Sequence, residues 1–213
     1  SGTTKMLSDV YHTATDWTVR LSLPLIVFLV AFSEPILGLY GPEFSQYGQY
    51  ALWILLGGFS SSLLTGPNGV LLNMCGHERP LFKLNLLTVF LQLLGFVVLI
   101  PLIGLEGSVT STAVATISAA VLGATLVKKR ALVSWWDGRY LKWGFPLTAS
   151  VLFGFGVSFW LSSPGSITLV LCLVCTYLVF HGISLLQGLN DDDIELLNHV
   201  RALIACCYQL SRN

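Results

Sequence analysis

The chain reads as an all-α integral membrane bundle of six transmembrane helices, and three observations predict it. Of its 213 residues, 54% are hydrophobic and 10% charged, with a mean hydropathy of +0.75, whereas soluble globular chains carry about 25% charge. Six apolar runs match the ~20 helical residues needed to cross hydrocarbon: 17–39, 49–75, 81–103, 107–127, 142–161 and 166–187. All eleven basic residues fall on one side of that pattern. Lys5 and Arg20 precede or open the first run, and Arg79 and Lys83 lie between the second and third. Lys128, Lys129, Arg130, Arg139 and Lys142 lie between the fourth and fifth, and Arg201 and Arg212 follow the sixth. The linkers near 40–48, 103–107 and 161–165 carry none. Basic residues in short loops stay cytoplasmic, so the expectation is a multi-pass cell-membrane protein with both termini in the cytoplasm.

Each element has its own signals. In the first run Pro24 is expected in the opening turns, and Gly41-Pro42 ends it. The second runs uncharged from Tyr50 to Cys75 around Thr65-Gly66-Pro67-Asn68-Gly69. Pro67 cannot donate to the Leu63 carbonyl and its ring clashes there, so a bend is predicted. Ser60, Ser61, Ser62 and Thr65 are placed to satisfy the backbone groups it frees. The third run carries Asn85, Thr88, Gln92 and Gly95 on one face. The fourth repeats small residues every fourth position, Gly107, Ser111, Ala115, Ala119 and Gly123, beside Ser108, Thr112, Thr116, Ala120 and Ala124. Such stripes let another helix approach closely where lipid offers no hydrophobic drive. Trp135, Trp136, Tyr140 and Trp143 suit a headgroup layer, and Ser162-Ser163-Pro164-Gly165 makes a tight turn before the sixth run. Beyond it, Asn190 to Asp193 cap an amphipathic helix carrying Ile194, Leu197, Val200, Leu203 and Ile204.

Several chemistries are disfavoured. The formal net charge is zero and the cations are used as topology signals, so no nucleic-acid partner is expected. Cys172-x-x-Cys175 has ligand spacing but no second pair or histidine nearby, so it reads as packing, with no metal and no cofactor. Cys75, Cys206 and Cys207 are expected as free thiols, the tail pair being possible palmitate acceptors by position. Ser60 with His181 superficially resembles a serine dyad, yet Ser61 follows where a small-residue turn is needed, so no enzyme is expected. Glu34 lies about two turns from the nearest basic-free loop, within reach of water, which makes proton coupling through this segment doubtful.

What remains is a polar path. At helical spacing Ser62, Gly66, Gly69 and Asn73 share one face, and Asn85 to Gly95 another. Two readings stand: the amides bond across a helix interface, or the two faces line a hydrated cavity.

Three segments carry a resemblance: Glu34-Pro35-Ile36-Leu37-Gly38-Leu39-Tyr40-Gly41-Pro42-Glu43-Phe44, Thr65 through Glu78, and Leu99-Ile100-Pro101-Leu102-Ile103-Gly104-Leu105-Glu106-Gly107-Ser108. The last is the most specific, a span ending in Leu-Ile-Pro, a short glycine hinge, then Gly-Ser opening a small-residue helix. Together with Tyr11 to Trp17 they resemble the multidrug, oligosaccharidyl-lipid and polysaccharide exporter superfamily, most closely its polysaccharide and lipid-linked oligosaccharide flippase branch. The resemblance spans about residues 5–190, the last two runs matching only in topology and length. It implies the C-terminal part of a 12–14 helix two-lobe transporter: residues 1–127 complete the C-terminal lobe with four helices, 128–187 add two more, and 188–213 form a cytoplasmic amphipathic tail.

The chain opens Ser-Gly-Thr-Thr-Lys, and by that comparison it is expected to be a fragment or to need a partner supplying the N-terminal lobe. The implied activity is alternating-access translocation of a polyprenyl-(di)phosphate-linked saccharide, with membrane lipid around it. The residues implied to meet substrate are Ser62, Asn68, Asn73, Asn85 and Gln92 for the sugar, Pro67 at the bend, and Arg79 and Lys83 for the diphosphate, although the ordinary role of the latter two is as inward topology charges. A multidrug or cation antiporter of the same superfamily, and an inactive structural fragment, are the alternatives.

Overall fold

The computed structural model describes residues 2–131, 133–134, 142–161 and 165–186, with side chains from residue 7 onward except 46 and 47. Trp135, Trp136, Tyr140, the 162–164 turn and the expected tail helix with its cysteines lie outside the described residues. Those described form eight helices and no strand: α1 Gly2–Ala31, α2 Ser33–Gly38, α3 Pro42–Thr65, α4 Asn68–Met74, α5 Glu78–Ile103, α6 Leu105–Arg130, α7 Gly144–Trp160 and α8 Ser166–Leu186. Four stretches are long and apolar enough to cross a bilayer: Leu7–Ala31, Glu78–Ile103, Leu105–Arg130 and Ser166–Leu186. The second and fifth expected crossings look different. α7 is apolar but only 17 residues long, and α3, though 24 residues, is diluted by Gln49, Gly57, Gly58 and three consecutive serines.

Helix ends follow backbone chemistry. The first helix begins at Gly2, well before residue 17, which places Pro24 in its interior rather than in its opening turns. The reason is burial: Tyr11 is packed with Leu71, Leu72, Val127, Ala131 and Val133, and Leu7 lies against that cluster, so the segment preceding the apolar run has a surface to fold onto. Pro35 cannot supply the bond owed to the Ala31 carbonyl, and the helix breaks at Phe32 (φ −110°, ψ 24°) before α2. Gly41 (φ +131°) then turns the chain and Pro42 opens α3, its missing N–H harmless at a first position.

The helices stack as a row. α5 and α6 form an antiparallel hairpin closed at Gly104 (φ +60°), whose N–H reaches the Ile100 carbonyl at 2.8 Å. α6 packs along α5 on one side and α3 on the other; α3 adjoins α1, and α1 adjoins the α7–α8 pair. The small residues of α6 explain its central place. A methyl on Gly107 would fall on the Leu99 carbonyl, and one on Gly95 would sit 2.7 Å from Ser111 Oγ. On the other side, a methyl on Gly58 would come within 2.9 Å of Ala113 Cα. Backbones this close gain dispersion contacts that bulkier side chains forbid. The predicted stripe admits α5 at Gly107 and Ser111, while α3 approaches at Ala113, which lies outside it, and α5 is left without one buried residue.

Candidate functional site

The predicted bend at Pro67 is a complete interruption. α3 ends at Thr65, Gly66 adopts φ +75° and ψ −173°, and α4 starts at Asn68. Pro67 itself, at φ −78° and ψ 58°, is the centre of an inverse γ-turn, closed by the Asn68 N–H on the Gly66 carbonyl at 2.8 Å. The Gly66 N–H takes the Leu63 carbonyl at 3.2 Å, so the acceptor that Pro67 abandons is served by its neighbour.

The freed carbonyl of Thr65 is met from outside the segment. The Tyr11 hydroxyl of α1 donates to it and lies 2.8 Å from Asn68 Oδ1. A phenol has a single proton, so two acceptors compete for it. Of the hydroxyls expected to do this work, Thr65 does it in part, donating to the freed Ser62 carbonyl at 3.1 Å as well as to Ser61 O at 3.2 Å, while Ser60 bonds Leu56 O and Ser61 bonds Gly58 O, each at 2.6 Å, within their own helix. Local i−4 partners are always within reach, whereas a freed group beyond the helix end is not. Space is equally specific. A methyl on Gly66 would overlap Thr15 Oγ1 and sit 3.1 Å from the Tyr11 ring, and one on Gly123 would lie 3.2 Å from Asn68 Nδ2. The break is therefore a junction of three helices, α1, α3–α4 and α6.

One turn along α1 lies a buried charged cluster. Asp16, 7% exposed, pairs with Arg20 at 2.9 Å and accepts the Trp143 indole N–H at 2.7 Å. Charge-assisted bonds of this kind hold the start of α7 to α1, and Val19, Trp143, Leu23 and Leu63 pack beside them. Farther along, beside the Pro24 irregularity, the Tyr177 hydroxyl of α8 donates to the Leu21 carbonyl at 2.8 Å.

The sequence-predicted substrate residues divide. Asn68 and Pro67 are half-buried in the junction, and Gln92 is half-buried with its amide donating to Thr112 Oγ1 at 3.3 Å. Ser62, Asn73, Asn85, Arg79 and Lys83 are exposed. α6 stands between α3 and α5 and separates Ser62 from the polar face of the third run, whereas α4 meets α5 directly, with Gly69 beside Leu81. Gln92 thus follows the interface reading. A groove of 470 Å³ does open beside the break, but its walls are apolar: Val10, Tyr11, Pro67, Val70, Leu71 and Met74 among them.

A second concavity lies elsewhere, at the Pro42 end of α3. It measures 680 Å³ between α2, α3 and α7 and is lined by Glu34, Ser45, Gln49, Trp53, Phe155, Ser158 and Phe159 together with Val30, Ala31, Pro35, Gly38, Leu39 and Leu161. Ser33, 1% exposed, organises it. Its Oγ donates to Val30 O at 3.1 Å and accepts from Gln49 Nε2 at 3.1 Å and Trp53 Nε1 at 3.2 Å. A sequence signal for this site existed in Ser45, Gln49 and Trp53, spaced four apart on one helical face. What sequence could not supply was the Phe32 break that brings Ser33 and Glu34 over that face.

No protein-family model, curated protein or solved structure matches this chain. Among the described residues no cluster of histidine, cysteine, aspartate or glutamate could hold a metal ion.

Proposed function

We propose that this chain is the six-span C-terminal part of a two-lobe transporter that moves a lipid-linked saccharide from the cytoplasmic to the outer leaflet. The observation carrying the reading is the interrupted α3–α4 helix. Non-helical backbone at membrane depth is tolerated only where protein or a hydrated path satisfies it, and transporters place such breaks at the elements that rearrange. Here the Gly66–Pro67 break is sealed by Tyr11 and Asn68 rather than by continuous helix, an arrangement that can exchange partners without leaving a carbonyl bare in lipid.

In this reading α3–α4 and α7 cross with the four longer helices, the basic linkers face the cytoplasm, and the basic-free ends face outward. Sugar hydroxyls and phosphate cannot cross hydrocarbon unsolvated. Exposed Ser62, Asn73 and Asn85 supply hydrogen-bonding partners, and Arg79 and Lys83 supply charge for a diphosphate at the inner mouth. An N-terminal lobe supplies the opposite wall. A cation antiporter of the same superfamily is the second reading, favoured by Glu34 in the wall of the 680 Å³ cavity.

The test is reconstitution of the chain together with the N-terminal lobe this reading requires, into vesicles containing a fluorescent polyprenyl-diphosphate oligosaccharide, the accessible fraction being read with an added membrane-impermeant lectin. The expected result is a rise in that fraction over protein-free vesicles, lost in Asn68→Leu. Equal fractions with and without protein would exclude the activity. Single-cysteine labelling checks the topology: an impermeant external reagent should modify a cysteine at Tyr40 but not at Lys129.

A further inference from the structure

We propose that the cavity at the Pro42 end of α3 is a binding site for an uncharged sugar ring. It deepens the transport reading by placing the saccharide head at the end of the bundle remote from Arg79 and Lys83. The argument starts from Ser33. A hydroxyl has one proton and two lone pairs, and all three are used, on Val30, Gln49 and Trp53. The side chains it holds are two of those lining the cavity. An amide and an indole fixed before a ligand arrives lose little freedom on binding, so Ser33 acts as a positioning residue.

The chemistry of the walls selects the ligand. Trp53, Phe155 and Phe159 offer ring faces, while Glu34, Ser45, Gln49 and Ser158 offer oxygen acceptors and hydroxyl donors. Ser45 gives its proton to Pro42 O at 2.9 Å, leaving its lone pairs to accept, and Gln49, with its nitrogen engaged, keeps its carbonyl oxygen. Apolar faces interleaved with acceptors match a sugar, whose C–H face stacks on aromatics while its hydroxyls donate outward. Among the described residues no Lys, Arg or His lines the space, so a phosphate would meet Glu34 with no described cation to offset the repulsion. An organic cation would need a desolvated carboxylate, and Glu34 is exposed, where water and salt screen its charge. Recognition therefore rests on stacking and hydrogen bonds.

The test uses the purified chain in detergent, labelled with 5-fluorotryptophan, the Trp53 resonance being assigned by its loss in Trp53→Phe. Neutral oligosaccharides (chitobiose, maltotriose, cellotriose), inorganic pyrophosphate and tetraphenylphosphonium are titrated in turn. At least one neutral saccharide should shift the Trp53 resonance saturably. Gln49→Ala and Ser158→Ala should each weaken that affinity about 3- to 10-fold, the worth of a single hydrogen bond. The other five tryptophan resonances report whether each variant is folded. Silence toward all three saccharides overturns the proposal. So does a saturable shift by tetraphenylphosphonium that Glu34→Gln abolishes, or one by pyrophosphate. Saccharide binding without translocation in vesicles would remove the transport reading and leave the site; translocation with a silent Trp53 would do the reverse.

Discussion

Replacing Gly66 by alanine tests the junction at its tightest point. Two costs add at this residue. Its backbone, at φ +75° and ψ −173°, lies in a region that is essentially glycine-only, which costs an L-residue about 1–3 kcal/mol. The new methyl would also overlap Thr15 Oγ1, and overpacking of this kind costs about 1–3 kcal/mol more. Neither neighbour yields freely, because Thr15 is fully buried with its hydroxyl on the Tyr11 carbonyl at 2.7 Å, and Tyr11 is engaged at the break. The sum, about 2–6 kcal/mol, is large against ordinary domain stability. Unfolding of the purified chain in mild detergent, titrated with sodium dodecyl sulfate and followed by circular dichroism, measures it. Thr15→Ala separates the two costs. In that background Gly66→Ala should lose the steric share and keep the conformational one, giving a coupling energy of about 1–3 kcal/mol. Gly57→Ala is the internal control: its methyl meets nothing within 4 Å, so helix propensity alone acts and the variant should be about 0.5–1 kcal/mol more stable. A neutral Gly66→Ala, or strictly additive effects with Thr15→Ala, would refute the junction as described.

Three further outcomes follow from the same contacts. Tyr11→Phe removes the donor on the Thr65 carbonyl and should cost about 1–3 kcal/mol, with faster amide exchange confined to residues near 66–71 by mass spectrometry. Gly58→Leu, which must push Ala113 away, should separate α3 from α6; a spin-label pair on the two helices should report a longer distance, and an unchanged distance would refute the close approach. Asp16→Ala removes the carboxylate that pairs with the half-buried Arg20 and accepts the Trp143 indole N–H, for an expected loss of about 3–5 kcal/mol. Asp16→Asn, which retains an acceptor for the indole, should lose less in the same denaturation assay.

The parts of this fold that were legible in the sequence are those written in local chemistry. The Leu-Ile-Pro, glycine and Gly-Ser order announced the α5–α6 hairpin, the four-residue repeat of α6 announced close packing, and Gly66-Pro67 announced an irregular backbone. What stayed hidden depends on partners far along the chain. Tyr11 and Thr65 are separated by 54 positions, and Asp16 and Trp143 by 127, and nothing in a single sequence pairs them. The same reason displaced Pro24. The apolar count started the first span at residue 17, but residues before it had a buried site waiting on α4 and α6. The two readings of the polar faces on the second and third runs could not be told apart for a related cause: small residues on α6 do not say how many helices will use them, and both α3 and α5 do.

These contacts give α3 an unusual set of constraints. Near its Pro42 end it is tied to the α1–α2 break by Gln49 and Trp53 on Ser33, and at its other end it is tied to α1 by Tyr11 on Thr65. Between those ties its contact with α6 relies on backbone proximity at Gly58 and Ala113. The polar bonds between α1 and α3 are directional and few, whereas the α3–α6 contact is apolar, close and non-directional. A hydrogen bond is lost over a shift of a few tenths of an ångström in length and a modest rotation, while a small-residue contact keeps most of its dispersion energy so long as the backbones stay parallel and near. In the proposed transport reading, rearrangement at the Gly66–Pro67 break would be governed by Tyr11, the only side chain among the described residues that bonds the freed Thr65 carbonyl, with α6 the surface against which α3 is held.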